Sequence, residues 1–274
     1  MAEVVASDGV RLYAEVHGEG IPVLFSCPLN TTLENWRPQV GPLEAAGFRV
    51  VLWDYRGHGR SEAPDDPAAY SIEQVVDDLG RVLSQMAPGE PAALAGLSFG
   101  GLASLHFTLR HPERVCALLL IDSGPGFKNP KAQARWSASC EKTSSFIEAK
   151  GVAEFAARAT ELTVGRQPEL PAARAAQAAI AAQQAHGLAH FGRRIAGPAP
   201  PVIDDLCRIE QPALVLVGEE DEAYLRAAEV MASKLPRAES VTLAGAGHVV
   251  NIEAAEAFNA AALAFLERVR ASRA

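Results

Sequence analysis

Continuous apolar runs separated by segments with helical spacing are the feature that most constrains the fold of this chain. A continuous apolar run is typical of a strand that is covered on both faces. Between the runs, apolar residues recur every three or four positions, as in IEQVVDDLGRVLSQM, which Ser71 precedes as a predicted N-cap. This alternation predicts a mostly parallel sheet with helices on both sides. The five runs are IPVLFS at 21–26, FRVVLWD at 48–54, PAALAGL at 91–97, VCALLLID at 115–122 and PALVLVG at 212–218.

Shorter strand patterns lie near the two ends of the chain. VVAS and VRLYAEVH flank Asp8-Gly9, a dipeptide that is typical of a hairpin turn. ESVTL, close to the C-terminus, has the composition of one more strand. Together with the five long runs, these segments predict an eight-stranded α/β fold.

The alternation stops between residues 124 and 205, where no strand pattern occurs. The stretch AARAAQAAIAAQQAHGLAHF in this region is strongly helix-forming. We therefore predict a helical cap at 124–205, inserted into a core that consists of residues 1–123 and 206–274. The alternative is that these helices are a plain packing scaffold and have no functional role.

The composition and net charge of the chain argue against some classes of binding partner. The net charge of −8 and the lack of a basic stripe argue against a nucleic acid or an anionic membrane. The chain has no apolar run long enough to span a bilayer and no signal-peptide pattern at its start. Its scattered cysteines are typical of reduced thiols, which predicts a cytoplasmic protein. The predicted partner is a small molecule, and an apolar cap surface could support a homodimer. The cysteines are Cys27, Cys116, Cys140 and Cys207.

The pattern G-x-S-x-G at 96–100 follows a predicted strand and precedes a helical pattern. A sharp turn from strand to helix brings the positions two before and two after its corner almost into contact, so that only very small residues fit there. Gly96 and Gly100 satisfy this requirement and leave Ser98 at the corner. Ser98 is therefore the candidate nucleophile.

A serine needs a base, and the base needs an acid to orient it. His248 lies in a loop of small residues directly after the last predicted strand, at the sheet edge where such proteins gather their sites. Asp221 follows the strand at 212–218 and is the preferred acid, although Asp122, at the end of the strand at 115–122, remains an alternative. The order serine, aspartate, histidine agrees with the expected order for this type of sheet.

The chain resembles the α/β-hydrolase family in several segments. These are DYRGHGRSEAP at 54–64, GLSFGG at 96–101, VGEED at 217–221 and GAGHVVNIE at 245–253. The segments CPLNTTLENW and NIEAAEAFNAAALAFL are similar to those of 3-oxoadipate enol-lactonases, in the serine-hydrolase branch of the family. The resemblance implies the α/β-hydrolase fold, with an antiparallel first pair of strands and a helical cap inserted after strand 6.

One departure from the family concerns the oxyanion loop. Cys27 and Pro28 occupy the positions where the family usually has His-Gly, and a proline has no amide hydrogen to donate. The family's donor is the next residue, so the resemblance implies an oxyanion hole formed by the backbone N–H groups of Leu29 and Phe99. The alternative is that the loop is damaged and the protein is a non-enzymatic relative.

These residues predict a serine hydrolase that cleaves a carboxylic ester or a lactone through an acyl-enzyme, with Ser98, Asp221 and His248 as the catalytic triad. Neither a cofactor nor a metal is expected to take part. Asn30 and Trp136 are predicted to line the substrate pocket. The alternatives are hydrolysis of a C–C bond in a vinylogous diketone, perhydrolase or cofactor-free haloperoxidase activity, and a non-catalytic ligand-binding relative.

Overall fold

A computed structural model describes residues 2–273 of the chain, and it contains one sheet of eight strands. Each of the five long apolar runs forms a strand, as predicted. All residues of β5, β6 and β7 are buried, which explains why these runs contain no alternating polar residues. The strands are β1 (Ala2–Val5), β2 (Arg11–His17), β3 (Ile21–Ser26), β4 (Phe48–Trp53), β5 (Ala92–Leu97), β6 (Val115–Ile121), β7 (Ala213–Gly218) and β8 (Ala238–Leu243).

The order of the strands in the sheet is β1-β2-β4-β3-β5-β6-β7-β8. β1 and β2 form the predicted hairpin, closed by a hydrogen bond from the Ala6 N–H to the Val10 carbonyl at 2.9 Å. β2 also pairs antiparallel with β4, so that it runs against both of its neighbours. From β4 to β8 every pairing is parallel. The prediction of a mostly parallel eight-stranded sheet is therefore confirmed.

Helices follow most of the strands and cover the sheet. Ser71 caps α2, because its hydroxyl accepts a hydrogen bond from the Gln74 N–H at 3.2 Å. Over residues 2–273, no helix has the length and hydropathy that crossing a membrane would require. The helices are α1 (Arg37–Ala45), α2 (Ile72–Met86), α3 (Phe99–Arg110), α4 (Pro130–Lys150), α5 (Val152–Arg158), α6 (Thr160–Thr163), α7 (Pro171–Ala181), α8 (Ala185–Phe191), α9 (Glu222–Lys234), α10 (Val250–Glu253) and α11 (Ala255–Ala271).

The segment between β6 and β7 contains the five helices α4 to α8, followed by a π-helical turn at Gly192–Ala196. We call residues 124–205 the helical insert. The alanine-rich stretch in it forms two helices rather than one, because α7 ends at Ala181 and α8 begins at Ala185. At this break the buried Gln183 side chain donates to the Asn30 carbonyl at 3.0 Å and accepts from the Gly59 N–H at 2.9 Å. These tertiary hydrogen bonds outweigh helix propensity.

The insert has a small hydrophobic core of its own. Ile147, Phe155 and Ile180 belong to it, and Val249 and Ile252 contribute from the segment that follows β8. The insert therefore packs against the part of the chain that carries His248. The division into a core of residues 1–123 and 206–274 and a cap of residues 124–205 stays a prediction.

Candidate active site

Ser98 occupies the corner between β5 and α3, with φ 55° and ψ −116°. This backbone conformation is rare for a residue with a side chain and costs on the order of 1–3 kcal/mol. A Cβ atom on Gly96 would lie 2.2 Å from the Gly100 backbone, and one on Gly100 would lie 2.2 Å from the Ser26 carbonyl oxygen. The two glycines thus permit the close approach of strand and helix, as the sequence pattern predicts. Ser98 itself is half-buried.

His248 and Asp221 form a hydrogen-bonded pair at the carboxyl edge of the sheet. The distance from His248 Nδ1 to Asp221 Oδ2 is 2.7 Å, and both side chains are buried. Asp221 comes directly before α9, and His248 lies in the loop that leaves β8. Because Nδ1 contacts the carboxylate, Nε2 is the nitrogen that remains for a substrate or a serine.

Asp122 is the acid that the sequence leaves as an alternative, and it does not hydrogen-bond to His248 in the described chain. Its Oδ1 accepts a hydrogen bond from the Gly218 N–H at 2.8 Å. The residue is fully buried and has a positive φ of 40°. Burial, and then the neighbouring carboxyl group of Asp221, raise the pKa of Asp122 well above its usual range. Asp122 therefore lies beneath the site, in an environment that disfavours its charged form.

Tyr224 is a site residue that the sequence analysis missed. Its hydroxyl lies 3.4 Å from Ser98 Oγ, and its ring stacks on the imidazole of His248 with centroids 4.8 Å apart. No hydrogen bond joins Ser98 to His248 among residues 2–273. The signal that could have revealed Tyr224 is its spacing, since a residue three positions after Asp221 on a helix lies on the same face.

The oxyanion loop follows β3 and contains Pro28, Leu29 and Asn30. In the described chain, neither the Leu29 N–H nor the Phe99 N–H donates a hydrogen bond to another residue. The Pro28 carbonyl accepts from the Thr31 side chain at 2.9 Å, and the Asn30 N–H donates to His58 Nε2 at 3.2 Å. The loop is therefore held by its neighbours, while two backbone donors remain free.

The segment DYRGHGRS supports this loop from below. Asp54 accepts hydrogen bonds from the Leu33 N–H at 2.8 Å and the Arg60 N–H at 3.0 Å, and burial raises its pKa to about 6. Arg56 makes a buried bidentate pair with Asp78, at 2.7 Å for both contacts. Burial also lowers the pKa of His58 to about 4, so that its neutral ring can accept from Asn30. These side chains fix loops and do not line the cavity.

A cavity of about 480 Å³ opens above Ser98 and His248. Leu29 and Phe99 line it, and so do Asn30 and Trp136, the two predicted pocket residues. The Trp136 indole N–H is already bound to the Ala196 carbonyl at 2.8 Å, so Trp136 presents an apolar surface. Cys27 does not line the cavity, and burial raises the pKa of its thiol well above the usual range. No cluster of three or more metal-ligating side chains occurs in residues 2–273.

Comparisons with known proteins show which family the chain belongs to. The family model for the alpha/beta hydrolase fold matches residues 21–255. The "Putative carbamate hydrolase RutD" of Variovorax paradoxus is 32% identical over 275 residues, which cover 95% of this chain and 97% of that protein. The chain therefore belongs to the α/β-hydrolase family.

Solved structures show the same similarity. The enol-lactonase from Burkholderia xenovorans LB400 has a TM-score of 0.83 and 27% identity, covering 97% of this chain and 100% of that one. A hydrolase from Pseudomonas aeruginosa PA01 has a TM-score of 0.84 and 29% identity, with 97% of both chains covered. The predicted α/β-hydrolase fold and the resemblance to an enol-lactonase are thus confirmed.

Proposed function

We propose that this protein is a serine hydrolase that cleaves a carboxylic ester or a lactone through an acyl-enzyme. The observation that carries the proposal is the strained serine corner at Ser98, which opens on the same cavity as the 2.7 Å pair of His248 and Asp221. A nucleophile, a base and an acid that orients the base are the three parts that acyl transfer needs. A half-buried serine beside a mostly apolar cavity also suits an uncharged carbonyl group.

In the proposed mechanism the Ser98 hydroxyl turns from Tyr224 towards His248 Nε2 and attacks the carbonyl carbon of the substrate. His248 takes the hydroxyl proton, and Asp221 stabilises the resulting imidazolium through the hydrogen bond to Nδ1. The same proton then goes to the leaving alkoxide oxygen as its bond to the carbonyl carbon breaks. An ester releases a free alcohol, whereas an opened lactone keeps it as a hydroxyl group of the acyl chain on Ser98. Water, deprotonated by His248, releases the acid and restores the serine.

The free N–H groups of Leu29 and Phe99 are the proposed donors to the tetrahedral oxyanion. Each is a backbone donor, so that the replacement of the usual His-Gly by Cys27-Pro28 removes no required group. Removing one donor of this kind typically raises a barrier by about 3 kcal/mol. The hydrogen bond from the Asn30 N–H to His58 keeps the loop in place while charge develops.

A carbamate is a second candidate substrate, since this chain is similar along nearly its whole length to a protein named as a putative carbamate hydrolase. Attack on a carbamate carbonyl uses the same serine, base and donors. Hydrolysis of a vinylogous diketone, perhydrolysis and ligand binding without turnover remain alternatives. The cytoplasmic location, the small-molecule partner and a homodimer also stay predictions.

The test is a panel of p-nitrophenyl esters, lactones, a carbamate ester and a vinylogous diketone, assayed with the wild type and Ser98→Ala. Bromination with peroxide tests the haloperoxidase alternative in the same two proteins. Turnover of an ester or lactone that disappears in Ser98→Ala is the expected result. Turnover that survives the substitution would contradict the serine mechanism, and turnover of the diketone alone would favour C–C hydrolysis.

A further inference from the structure

No lysine, arginine, aspartate or glutamate among the described residues lines the cavity. The polar members of the described lining are neutral amides and hydroxyls, together with His248. Most of the remaining members are apolar, including Phe99, Leu102 and Trp136. A ligand that carried a carboxylate into this space would lose its hydration without gaining a cation, and such a transfer is strongly unfavourable.

The rim of the cavity is also apolar. Phe127 and Leu162 line it, and their side chains are 42% and 62% exposed. Val5 is the other large hydrophobic residue that is exposed in the described part of the chain, and it lies on β1 away from the cavity. Two of the three exposed large hydrophobic side chains therefore line the cavity, as expected where an apolar molecule enters.

Two cationic residues that are close in the sequence to Phe127 and Leu162 are paired with carboxylates. Lys128, the neighbour of Phe127, contacts both carboxylate oxygens of Asp204 at 2.8 Å. Arg166, four residues after Leu162, binds Glu253 at 2.9 Å and also pairs with Glu220. Neither residue belongs to the cavity lining, so neither supplies the positive charge that an anionic substrate would need.

The amide of Asn30 offers a neutral polar contact next to the oxyanion donors. Asn30 lines the cavity, and its side chain makes no hydrogen bond to another described residue. Its φ of 64° lies in the left-handed region, which asparagine adopts more readily than most residues. An amide can donate to or accept from an uncharged ether, ester or alcohol group near the scissile carbonyl, but it cannot neutralise a carboxylate.

We propose that the site selects uncharged, largely apolar esters or lactones, admitted past Phe127 and Leu162, and discriminates against substrates that carry a carboxylate. This inference rests on the proposed function and deepens it by naming the charge class of the substrate. It also implies that a carbamate would be accepted as its neutral ester rather than as the free anion.

The experiment compares three p-nitrophenyl esters at pH 7.5: the heptanoate, the adipate monoester with a free carboxylate, and the primary amide of that adipate. The amide has the shape of the acid without its charge. We expect the heptanoate to have the highest kcat/KM, the amide a lower one, and the acid a value at least about 100-fold below that of the amide. Equal rates for the acid and the amide would overturn the inference while leaving the serine mechanism intact.

A second experiment adds a positively charged side chain at the rim of the cavity. Leu162→Lys places an ammonium group at the rim, and we expect it to raise the kcat/KM ratio of acid to amide by about threefold or more. Val5→Lys changes the net charge equally at an exposed apolar position far from the cavity, and it should leave this ratio unchanged. An equal change in both variants would point to overall charge rather than to the rim.

The charge selection can also be tested if the protein proves not to be an ester hydrolase. If no ester is hydrolysed, the binding of heptanamide and of adipate monoamide can be compared by calorimetry. Tighter binding of heptanamide, the uncharged ligand, would support the charge selection without catalysis. Equal binding of the two ligands would overturn it, whatever the protein does to esters.

Discussion

The ring of Tyr224 stacks on the imidazole of His248 at an interplanar angle of 26°, while its hydroxyl faces Ser98 Oγ at 3.4 Å. One side chain therefore contacts both the proposed base and the proposed nucleophile. Burial raises the pKa of the Tyr224 hydroxyl, so it remains a neutral donor at neutral pH. The stack contacts the imidazole on a side that Asp221 does not contact, so we predict that Tyr224 positions His248.

Substitution of Tyr224 separates the stack from the hydroxyl. Tyr224→Phe keeps the ring, and we expect its kcat to stay within about threefold of the wild type because the hydrogen bond to Ser98 is long. Tyr224→Ala removes the ring and should lower kcat about tenfold, in line with the free energy of an aromatic pair. Steady-state kinetics would test this, with thermal melting to exclude a folding defect. A loss in Tyr224→Phe equal to that in Tyr224→Ala would instead assign the effect to the hydroxyl.

Substitution of Ser98 should reveal the cost of its backbone conformation. Ser98→Gly and Ser98→Ala both remove the hydroxyl, and we expect both to lack turnover. Glycine tolerates φ of 55°, so Ser98→Gly should be more stable than Ser98→Ala by about 1–2 kcal/mol. Urea denaturation of the two variants gives this difference directly. Equal stabilities would show that the corner is not strained.

The two neighbouring carboxyl groups should respond differently to conversion into an amide. Asp221→Asn removes the charge that stabilises the imidazolium and favours the wrong tautomer, so kcat should fall by about 10³ to 10⁴. Asp122→Asn changes a side chain that does not hydrogen-bond to His248 into an amide of the same shape, and we expect kcat to stay within about tenfold. Asparagine keeps the oxygen that accepts from Gly218. The reverse ranking in the kinetics would make Asp122 the acid.

Stability at acid pH should depend on His58. Burial lowers its pKa to about 4 in the folded state from 6.5 in the unfolded state, so the unfolded chain binds more protons between these values. The stability that the neutral ring contributes is therefore complete above pH 6.5 and is lost as the pH falls towards 4. The loss amounts to about 3 kcal/mol.

His58→Gln provides the comparison, because a glutamine oxygen can accept from the Asn30 N–H and does not titrate. The stability advantage of the wild type over this variant should shrink by about 2–3 kcal/mol between pH 8 and pH 4.5, measured by urea denaturation. Asp54 and Asp78, whose pKa values are raised to about 6 by burial, act in the opposite direction. They are present in both proteins, so their contribution cancels. A constant difference across this pH range would mean that His58 does not titrate as described.

The strands and several helices could be predicted because their causes are local. The buried run at 91–97 and the serine cap at Ser71 each depend on residues within one segment. The alanine-rich stretch of the insert shows where local reasoning fails. Propensity predicts helix throughout, whereas the break near Gln183 depends on bonds to Asn30 and Gly59, which lie more than 120 positions away in the sequence.

The sequence by itself determined the fold class, the serine corner and the candidates Ser98, Asp221 and His248, because each depends on a residue type at a fixed place after a strand. Tertiary structure alone decided which aspartate contacts His248 and that Tyr224 contacts both the base and the serine. It also decided that no lysine, arginine, aspartate or glutamate of residues 2–273 lines the cavity. The physical reason is distance along the chain. The contact between residues 221 and 248 and the assembly of one lining from the loop after β3, from α4 and from α9 arise only when the sheet brings separate segments together.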